Sequence, residues 1–301
     1  MEPSTEVCHQ FKVKLQNLDE DLNSFGLNIE QAKKIKLTDL KFKYIDKSSH
    51  GECREIAAFI QRHEWLKKMP NRPTHRFAAY YGDKLIAVNV LGTPYAKSKL
   101  LGKGNWGLEK LIARGASLSF APSNIGSWLI MKSIKWMVMN SEFRFFTAYC
   151  DTEAKELGSI YQACNFIYVG RKSGGKKEYF DPNHPRRGWF SDRVARRAGQ
   201  YKKFAKNLGI QWRAEWSKDC SMNWHNMPKV IEEVLKFASK DYLNNCQFKN
   251  CVPKHKYILI LGRNKRETRS LLDKFYSANP ALKPKGLNSR PGYTYPKVRG
   301  Q

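Results

Sequence analysis

Along "LKFKYID" (40–46) apolar and charged side chains alternate, the period-two signature of a strand with one buried face. The period then changes. In "GECREIAAFIQRHEWL" the apolar residues Ile56, Phe59 and Ile60 share one helical face, and Ser48 and Ser49 stand where a helix is capped. "HRFAAYY" and "KLIAVNV" flank Gly82-Asp83, which predicts a hairpin, and "GLEKLIARGASLSF" (107–120) predicts the next strand. A helix is expected over 124–139. Its polar stripe is narrow, with Lys132 and Lys135 in it and nearly everything else apolar, so most of its surface should be covered by protein. "FRFFTAYC" (143–150) is aromatic and β-prone, and Asp151-Thr152 close it. A short helix, "ELGSIYQACN", and a strand, "FIYVGR", follow. Near the far end "KHKYILILG" (254–262) reads as a strand and "NKRETRSLLDKF" as a helix.

This alternation of strand and helix predicts an α+β fold, with a mixed central sheet flanked by helices. The rhythm breaks between Arg171 and Lys254, where a basic, aromatic-rich insertion precedes the last strand. The expected organisation is a peripheral arm at 1–39 with a weak helical period near 27–37, then a core at 40–171. The insertion occupies 172–253, the closing strand and helix 254–275, and an irregular basic tail 276–301. There is no internal repeat.

Charge changes this picture. Lys and Arg number 54 against 27 Asp and Glu, a formal net charge of +27. A polyanionic partner is the natural inference, because neutralising phosphates releases counterions. The segment 182–213 concentrates the effect. Arg186, Arg187, Arg193, Arg196 and Arg197 lie near Trp189 and Phe190, and Lys202, Lys203 and Lys206 flank Phe204; Asp192 is taken as the acid among them. Cations with interleaved aromatics suit DNA tracking and base stacking; a solvated helix face over a small core is the plainer alternative. Seven cysteines at irregular spacing fit a reducing compartment, and "MEPSTEVCHQFKVK" lacks the apolar run of a secretory signal. With no run long enough to span a bilayer, a cytoplasmic protein without a membrane partner is expected.

"APSNIGSW" raises a question of chemistry. A strand feeding a helix that starts with Ser123, Asn124, Ile125, Gly126 and Ser127 offers unpaired amides and the positive end of the helix dipole. That suits an anion. It equally suits a simple cap by Ser123 or Asn124. Cys220, His225, Cys246 and Cys251 form two pairs with four-residue gaps around a helix at 228–243; zinc uses paired ligands, usually at tighter spacing, and unlinked thiols are the expected state.

The element order is similar to that of the GNAT acyltransferases. The chain resembles the phage Mom-type DNA modification proteins, a GNAT-related family, through "FIQRHEWLKKMP", "KLIARGASLSFAPSNIGSWLI", "AYCDTEAKELGSIYQACNFIYVGR", "KHKYILILGRNKRETRSLLDKF" and a terminal "YPK". These pieces cover roughly 52–181 and 254–297. The resemblance implies a transferase that puts a carbamoylmethyl (acetamido) group on the exocyclic amine of adenine in double-stranded DNA and shields phage DNA from restriction. It implies an acyl-CoA-type donor, such as acetyl-CoA, seated at 123–127 with Arg114 nearby, although "APSNIGS" departs from the usual Gln/Arg-x-x-Gly-x-Gly/Ala loop. Asp151 is then a general base or a helix cap, and Tyr161 a proton donor to a leaving thiolate or a packed ring. His63 would pair with Asp151 around a divalent iron, or be structural. Tyr81, beside Tyr80, stacks a base or fills the sheet. The rival readings are a conventional acyl-CoA-dependent N-acetyltransferase on RNA, protein or a small amine, and a non-catalytic nucleic-acid-binding protein on the same scaffold.

Overall fold

A computed structural model describes residues 7–70, 72–94, 106–172, 177–218, 220–286 and 289–297. In chain order the elements are α1 (His9–Phe25), α2 (Ile29–Ala32), β1 (Leu40–Ile45), α3 (His50–His63), β2 (Pro73–Tyr81), β3 (Lys84–Gly92), β4 (Glu109–Ser117) and α4 (Ile125–Asn140). Then come β5 (Phe145–Cys150), α5 (Ser159–Ala163), β6 (Ile167–Lys172), β7 (Lys177–Phe180), β8 (Phe190–Ser191), α6 (Ala198–Asn207), β9 (Ser217–Lys218) and β10 (Ser221–Met222). The last are α7 (Lys229–Asn244), β11 (Gln247–Asn250), β12 (Lys254–Ile260) and α8 (Lys265–Ala278). Contacts divide the chain into two units, 1–172 with 254–301, and 173–253.

The larger unit is built on a seven-stranded sheet of order β1-β2-β3-β4-β5-β12-β6. Neighbours are antiparallel except β4 and β5, which run parallel. This is the mixed, helix-flanked sheet expected of a GNAT-like fold. The strand ladder supplies the alternation read from the sequence, and the apolar side of each strand meets a helix. Ile56, Phe59 and Ile60 of α3 are buried, as are Ile125, Leu129, Ile130, Ile134, Met137 and Val138 of α4. Trp128, Met131 and Trp136 are half-buried and Met139 is 65% exposed, so the expectation that α4 is mostly covered holds for most but not all of its apolar positions.

One feature of the sheet matters for function. β4 pairs with β5 only from Glu109↔Phe145 to Ile112↔Ala148. Beyond that point β4 continues to Ser117 against β3, and β5 continues to Cys150 against β12. The two parallel strands therefore part, leaving Ala113–Ser117 and Tyr149–Cys150 without each other as partners.

The N-terminal residues differ from the weak helical period near 27–37. The main helix there is α1, and α2 is a single turn with an Asn28/Gln31 capping box. Far from being a peripheral arm, α1 lays Leu18, Leu22 and Phe25 against the sheet core and buries Asp21. Its apolar pattern is blurred because Phe11 and Leu15 stay exposed. Gly26 ends the helix at φ 65, a left-handed turn that glycine adopts without a side-chain penalty.

The smaller unit has its own apolar clusters. Tyr201, Phe204, Trp216, Met227 and Leu235 form one, and Phe190, Ala195, Leu243 and Cys246 another. A three-stranded sheet of order β11-β7-β8 accompanies them. Among the described residues no helix is long and apolar enough to cross a membrane.

Candidate functional site

Parallel strands that separate expose backbone and side chains to a cleft, the place where α/β architectures collect ligands. Arg114 lies two residues past the last β4–β5 pair, at Val90 of β3. Its Nε donates to the Lys68 carbonyl at 2.9 Å and its Nη1 to the Ala113 carbonyl at 2.6 Å. The Glu64 carboxylate lies 3.9 Å from Nε. Glu64 caps the C-terminus of α3 and is buried, with its Oε2 accepting the Leu66 N–H at 3.0 Å. Burial pushes its pKa up from 4.5 to about 7; Arg114 opposes the shift and Glu156 adds to it.

Trp65 connects this carboxylate to a second. Its Nε1 donates to Glu156 Oε1 at 2.8 Å, while Glu156 Oε2 accepts the Asp151 N–H at 2.9 Å. Burial raises the Glu156 pKa as well, against the hydrogen bonds from Asp151 and Trp65. Asp151 ends β5 as the sequence placed it, but its carboxylate is occupied. Oδ2 holds the Lys254 ammonium at 2.5 Å and Oδ1 accepts the Glu153 N–H at 3.0 Å in a local turn, while the N-cap of α5 is Gly158, so Asp151 does not cap that helix.

Tyr161 of α5 packs against Phe166 and Tyr257, with centroids 5.3 and 5.6 Å away. Burial raises its phenol well above the usual value; Cys150, Glu156 and Cys164 add to this and Arg114 opposes it. It is protonated at neutral pH, and the upward shift makes it a weaker proton donor than an ordinary tyrosine. Arg114, Glu64, Trp65, Glu156, Asp151 and Tyr161 thus form one connected neighbourhood at the strand splay.

His63 is held elsewhere. It is buried, with Nδ1 3.7 Å from Asp21 of α1, and Asp21 in turn accepts from the N–H and hydroxyl of Ser119. Burial lowers its pKa, with Asp21 opposing, so the ring is neutral. His63 engages Asp21 and Asp151 engages Lys254, so the donor pair inferred for iron does not fit one ion. Among the described residues no three His, Cys, Asp or Glu side chains gather as a metal would require. The same holds for the zinc set: Cys246 is packed in an apolar cluster, whereas Cys220 and His225 are exposed. Tyr81 ends β2, two strands away from β4, and packs partly buried against the core.

The start of α4 answers the cap-or-seat question in part. Asn124 occupies the N-cap without a side-chain cap bond; the Ser123 hydroxyl donates to Asn124 Oδ1 at 2.8 Å and the Ser127 hydroxyl to the Asn124 carbonyl at 3.0 Å. Ile125 is buried, and a Cβ on Gly126 would lie 2.4 Å from Ile160 Cδ1. Glycine here serves packing against α5. Beside this turn a groove is lined by Leu37, Asn124, Ser127, Lys132, Lys135 and Cys164, so cationic side chains and the helix start converge.

In the 173–253 unit, Lys202, Lys203 and Lys206 project from α6 into solvent, and Arg186, Arg193, Arg196 and Arg197 are exposed. Arg196 pairs with Asp192 at 3.0 Å, and Arg187 donates to the Tyr242 hydroxyl at 2.9 Å. The aromatics divide. Phe190 and Phe204 are core residues and not stacking surfaces, whereas Trp189 is 45% exposed, beside Phe180 and under the Lys249 ammonium.

Sequence reasoning passed over Glu64, Trp65, Glu156 and Lys254. "HEW" carried a usable signal, since an acid directly after an apolar-faced helix must be either solvated or matched. No sequence spacing joins Glu64 to Glu156.

A Mom protein family model matches residues 39–278. No curated protein matches the chain. Among solved structures, an N-acetyltransferase from Staphylococcus aureus is similar at 14% identity and a TM-score of 0.32, over 44% of this chain and 85% of that one. A GNAT family acetyltransferase from Elizabethkingia anophelis with acetyl-CoA bound is similar at 10% identity and a TM-score of 0.33, over 74% and 99%. A third, the ribosomal-protein α-N-acetyltransferase RimL in complex with coenzyme A, is similar at 9% and 0.36, over 75% and 97%.

Proposed function

The chain belongs to the Mom protein family, and from that premise we propose that it is a DNA-modifying transferase acting on adenine. The reaction is attachment of a carbamoylmethyl (acetamido) group to the exocyclic amine, which would protect phage DNA from host restriction. The observation that carries this reading is the family match over residues 39–278, which takes in the whole strand splay.

The adenine amine is a weak nucleophile because its lone pair is delocalised into the ring. It is also inaccessible inside a duplex, so the base must be extruded at a cost of a few kcal/mol. The exposed cations of the 173–253 unit, with Trp189 and Phe248 as exposed rings among them, would supply phosphate contacts and a stacking surface for that DNA. An acyl-CoA-type donor would be held at its phosphates by Asn124, Ser127, Lys132 and Lys135; a thioester by itself delivers an acyl group, so the amide nitrogen of the carbamoylmethyl must come from a second source. Arg114 offers positive charge at the splay, where negative charge develops during transfer. Tyr161, protonated at neutral pH, would be the group that gives a proton to the leaving group. Asp151, tied to Lys254, acts by holding the β5 terminus and Glu156 in place.

The test is mass spectrometry of nucleosides from the DNA of cells that express the protein. A deoxyadenosine carrying the mass of an acetamido group is expected. Unmodified deoxyadenosine in the presence of abundant folded protein refutes the reading.

A second reading is a conventional acyl-CoA-dependent N-acetyltransferase on RNA, protein or a small amine. The groove beside the first turn of α4 favours it, because that feature asks only for a phosphate-bearing donor. Acetylated product from another amine, with DNA untouched, would select it.

A further inference from the structure

The segment "DPNHPRRGW" (181–189) joins β7 to β8, and its Asp, Asn and two prolines are turn chemistry. Asp181 is buried and ties the turn together. Its Oδ1 accepts the Asn183 N–H at 2.9 Å, while Oδ2 accepts the Tyr242 hydroxyl at 2.8 Å and the His184 Nδ1–H at 3.1 Å. The backbone folds back as well, with the His184 N–H on the Asp181 carbonyl and the Arg187 N–H on the His184 carbonyl, each at 3.0 Å. This turn shapes a cavity of about 390 Å³ lined by Asn183, His184, Pro185, Arg186 and Arg187. None of the five is acidic. A space walled by two guanidinium groups and no carboxylate is complementary to an anion.

Arg187 is held in place from three directions. Its Nη1 donates to the Tyr242 hydroxyl of α7 at 2.9 Å, its Nη2 to Gln200 Oε1 of α6 at 3.4 Å, and its guanidinium lies 5.4 Å from the centroid of the buried Phe190 ring. All three partners are neutral, so the position is set while the charge and the rest of the N–H fork stay available to a ligand. Lys202, Lys203 and Lys206 differ, since each is an exposed point charge on a flexible stem.

We propose that the cavity of the β7–β8 turn is a seat for a single backbone phosphate of DNA, gripped jointly by Arg186 and Arg187. This rests on the reading above that DNA is the partner, and it names a contact of a different kind from the diffuse charge around it. Flexible lysines neutralise phosphates wherever a strand passes. A guanidinium fork held by Tyr242, Gln200 and Phe190 takes two oxygens of one phosphate in one orientation. Tyr242 and Asp181 are positioning residues: the Tyr242 hydroxyl gives its proton to Asp181, which turns its lone pairs toward Arg187. A phosphate contact carries no sequence information, but it fixes the register of the duplex on this unit.

The experiment titrates full-length protein against a fluorescent DNA duplex by anisotropy, from about 50 to 200 mM salt. The logarithm of affinity falls with the logarithm of salt by about 0.9 for each phosphate neutralised. Replacing Arg186 and Arg187 together with Gln should lower that steepness by about 0.9, one phosphate for two charges, and by the same amount on unrelated sequences. A drop of about 1.8 would mean two separate phosphate contacts, and no drop would mean that DNA does not enter the cavity; either overturns the proposal. Tyr242→Phe keeps both charges and the packed ring, so it should leave the steepness alone and weaken binding by roughly 2–10-fold. Unchanged affinity in that variant overturns the positioned seat. Calorimetry with dAMP distinguishes a free nucleotide as the occupant. Binding of dAMP that the double variant abolishes, with its DNA titrations untouched, assigns the cavity to a nucleotide and overturns the proposal. Duplex binding by the wild type with an unaffected double variant sinks only the seat, and nucleoside analysis reads the transferase independently. A wild type that binds no duplex at about 50 mM salt removes DNA as the partner, and this site with it.

Discussion

Glu64→Gln should make the larger unit more stable above neutral pH. Glu64 has a folded-state pKa raised from 4.5 to about 7 by burial. The folded state then binds more protons than the unfolded state between those values, so stability falls as pH rises through that window. Integrated over the shift at 1.36 kcal/mol per unit, ionised Glu64 costs the fold about 3 kcal/mol above pH 7. At pH 5 the side chain is mostly protonated when folded, and the cost is about 1 kcal/mol. Glutamine has the shape of the protonated acid and can still accept the Leu66 N–H. The advantage of the variant should therefore grow by about 2 kcal/mol between pH 5 and pH 8.

Only the change with pH is diagnostic, because packing differences between the two side chains cancel in it. Urea titrations of wild type and variant at both pH values measure it. In thermal melts the gap should widen by roughly 4–8 °C, given about 2–4 °C per kcal/mol for a unit of this size. A gap that is the same at pH 5 and pH 8 would refute the reasoning, since it would mean that Glu64 does not titrate differently in the folded state.

Three further outcomes follow from the packing. Asn89→Leu should stabilise the fold by about 1–3 kcal/mol, because Asn89 is buried on β3 with both amide atoms unpartnered; a net loss in urea titrations would refute this. Glu267→Ala should cost about 3 kcal/mol by leaving Arg144, 4% exposed, without its 2.6 Å partner on α8. The Arg144 hydrogen bond holds the Glu267 pKa below its usual value, so this stabilisation should be full above pH 4.5 and fade as pH falls through the folded pKa, a trend that acid titration of the wild type reads and the variant should lack. Gly158→Ala should cost about 3 kcal/mol, since Gly158 has φ 75 and an added Cβ would lie 2.4 Å from Tyr257 Cε2; equal melting points would refute it.

Much of the fold was legible because short-range patterns decide it. The period-two run became β1, the hairpin and β-propensity signals became β2, β3 and β5, and the apolar stripe of α3 landed where Ile56, Phe59 and Ile60 placed it. What stayed hidden was set by long-range contact. Nothing near Asp21 in sequence announces that Ser119 and His63 will surround it, so α1 read as a loose arm. Phe190 and Phe204 looked like stacking rings because flanking cations suggested a DNA face, yet helical and strand phase turns both inward. The candidate chemistry suffered in the same way. Asp151 stands out in sequence by ending a strand, but Lys254, more than a hundred residues away, neutralises it. Glu64 is inconspicuous in sequence and becomes distinctive only when the fold buries it beside Arg114.

The glycines of the two motifs that carry the family resemblance mark the same distinction between motif and chemistry. Gly158 is demanded by Tyr257 and Cys150 pressing on its Cα, and Gly126 leaves room for the tip of Ile160 on the adjoining helix, a flexible end free to turn aside. Both serve close packing of α4, α5 and β12 around the splay. A motif with that origin predicts where the cleft lies and says little about what reacts in it. The Ser123 and Ser127 hydroxyls confirm the point, since each is donated to Asn124. What remains for an anion at the start of α4 is helix polarity with Lys132 and Lys135 beside it, an attraction that any phosphate-bearing donor would feel. Discrimination among donors must then come from the reacting end, beside Arg114 at the strand splay. Replacing Lys132 and Lys135 with Met should therefore weaken donor binding in a salt-dependent way and leave the pH dependence of turnover intact. Finding that the lysine variant shifts the pH profile would mean that the two ends of the cleft are not independent.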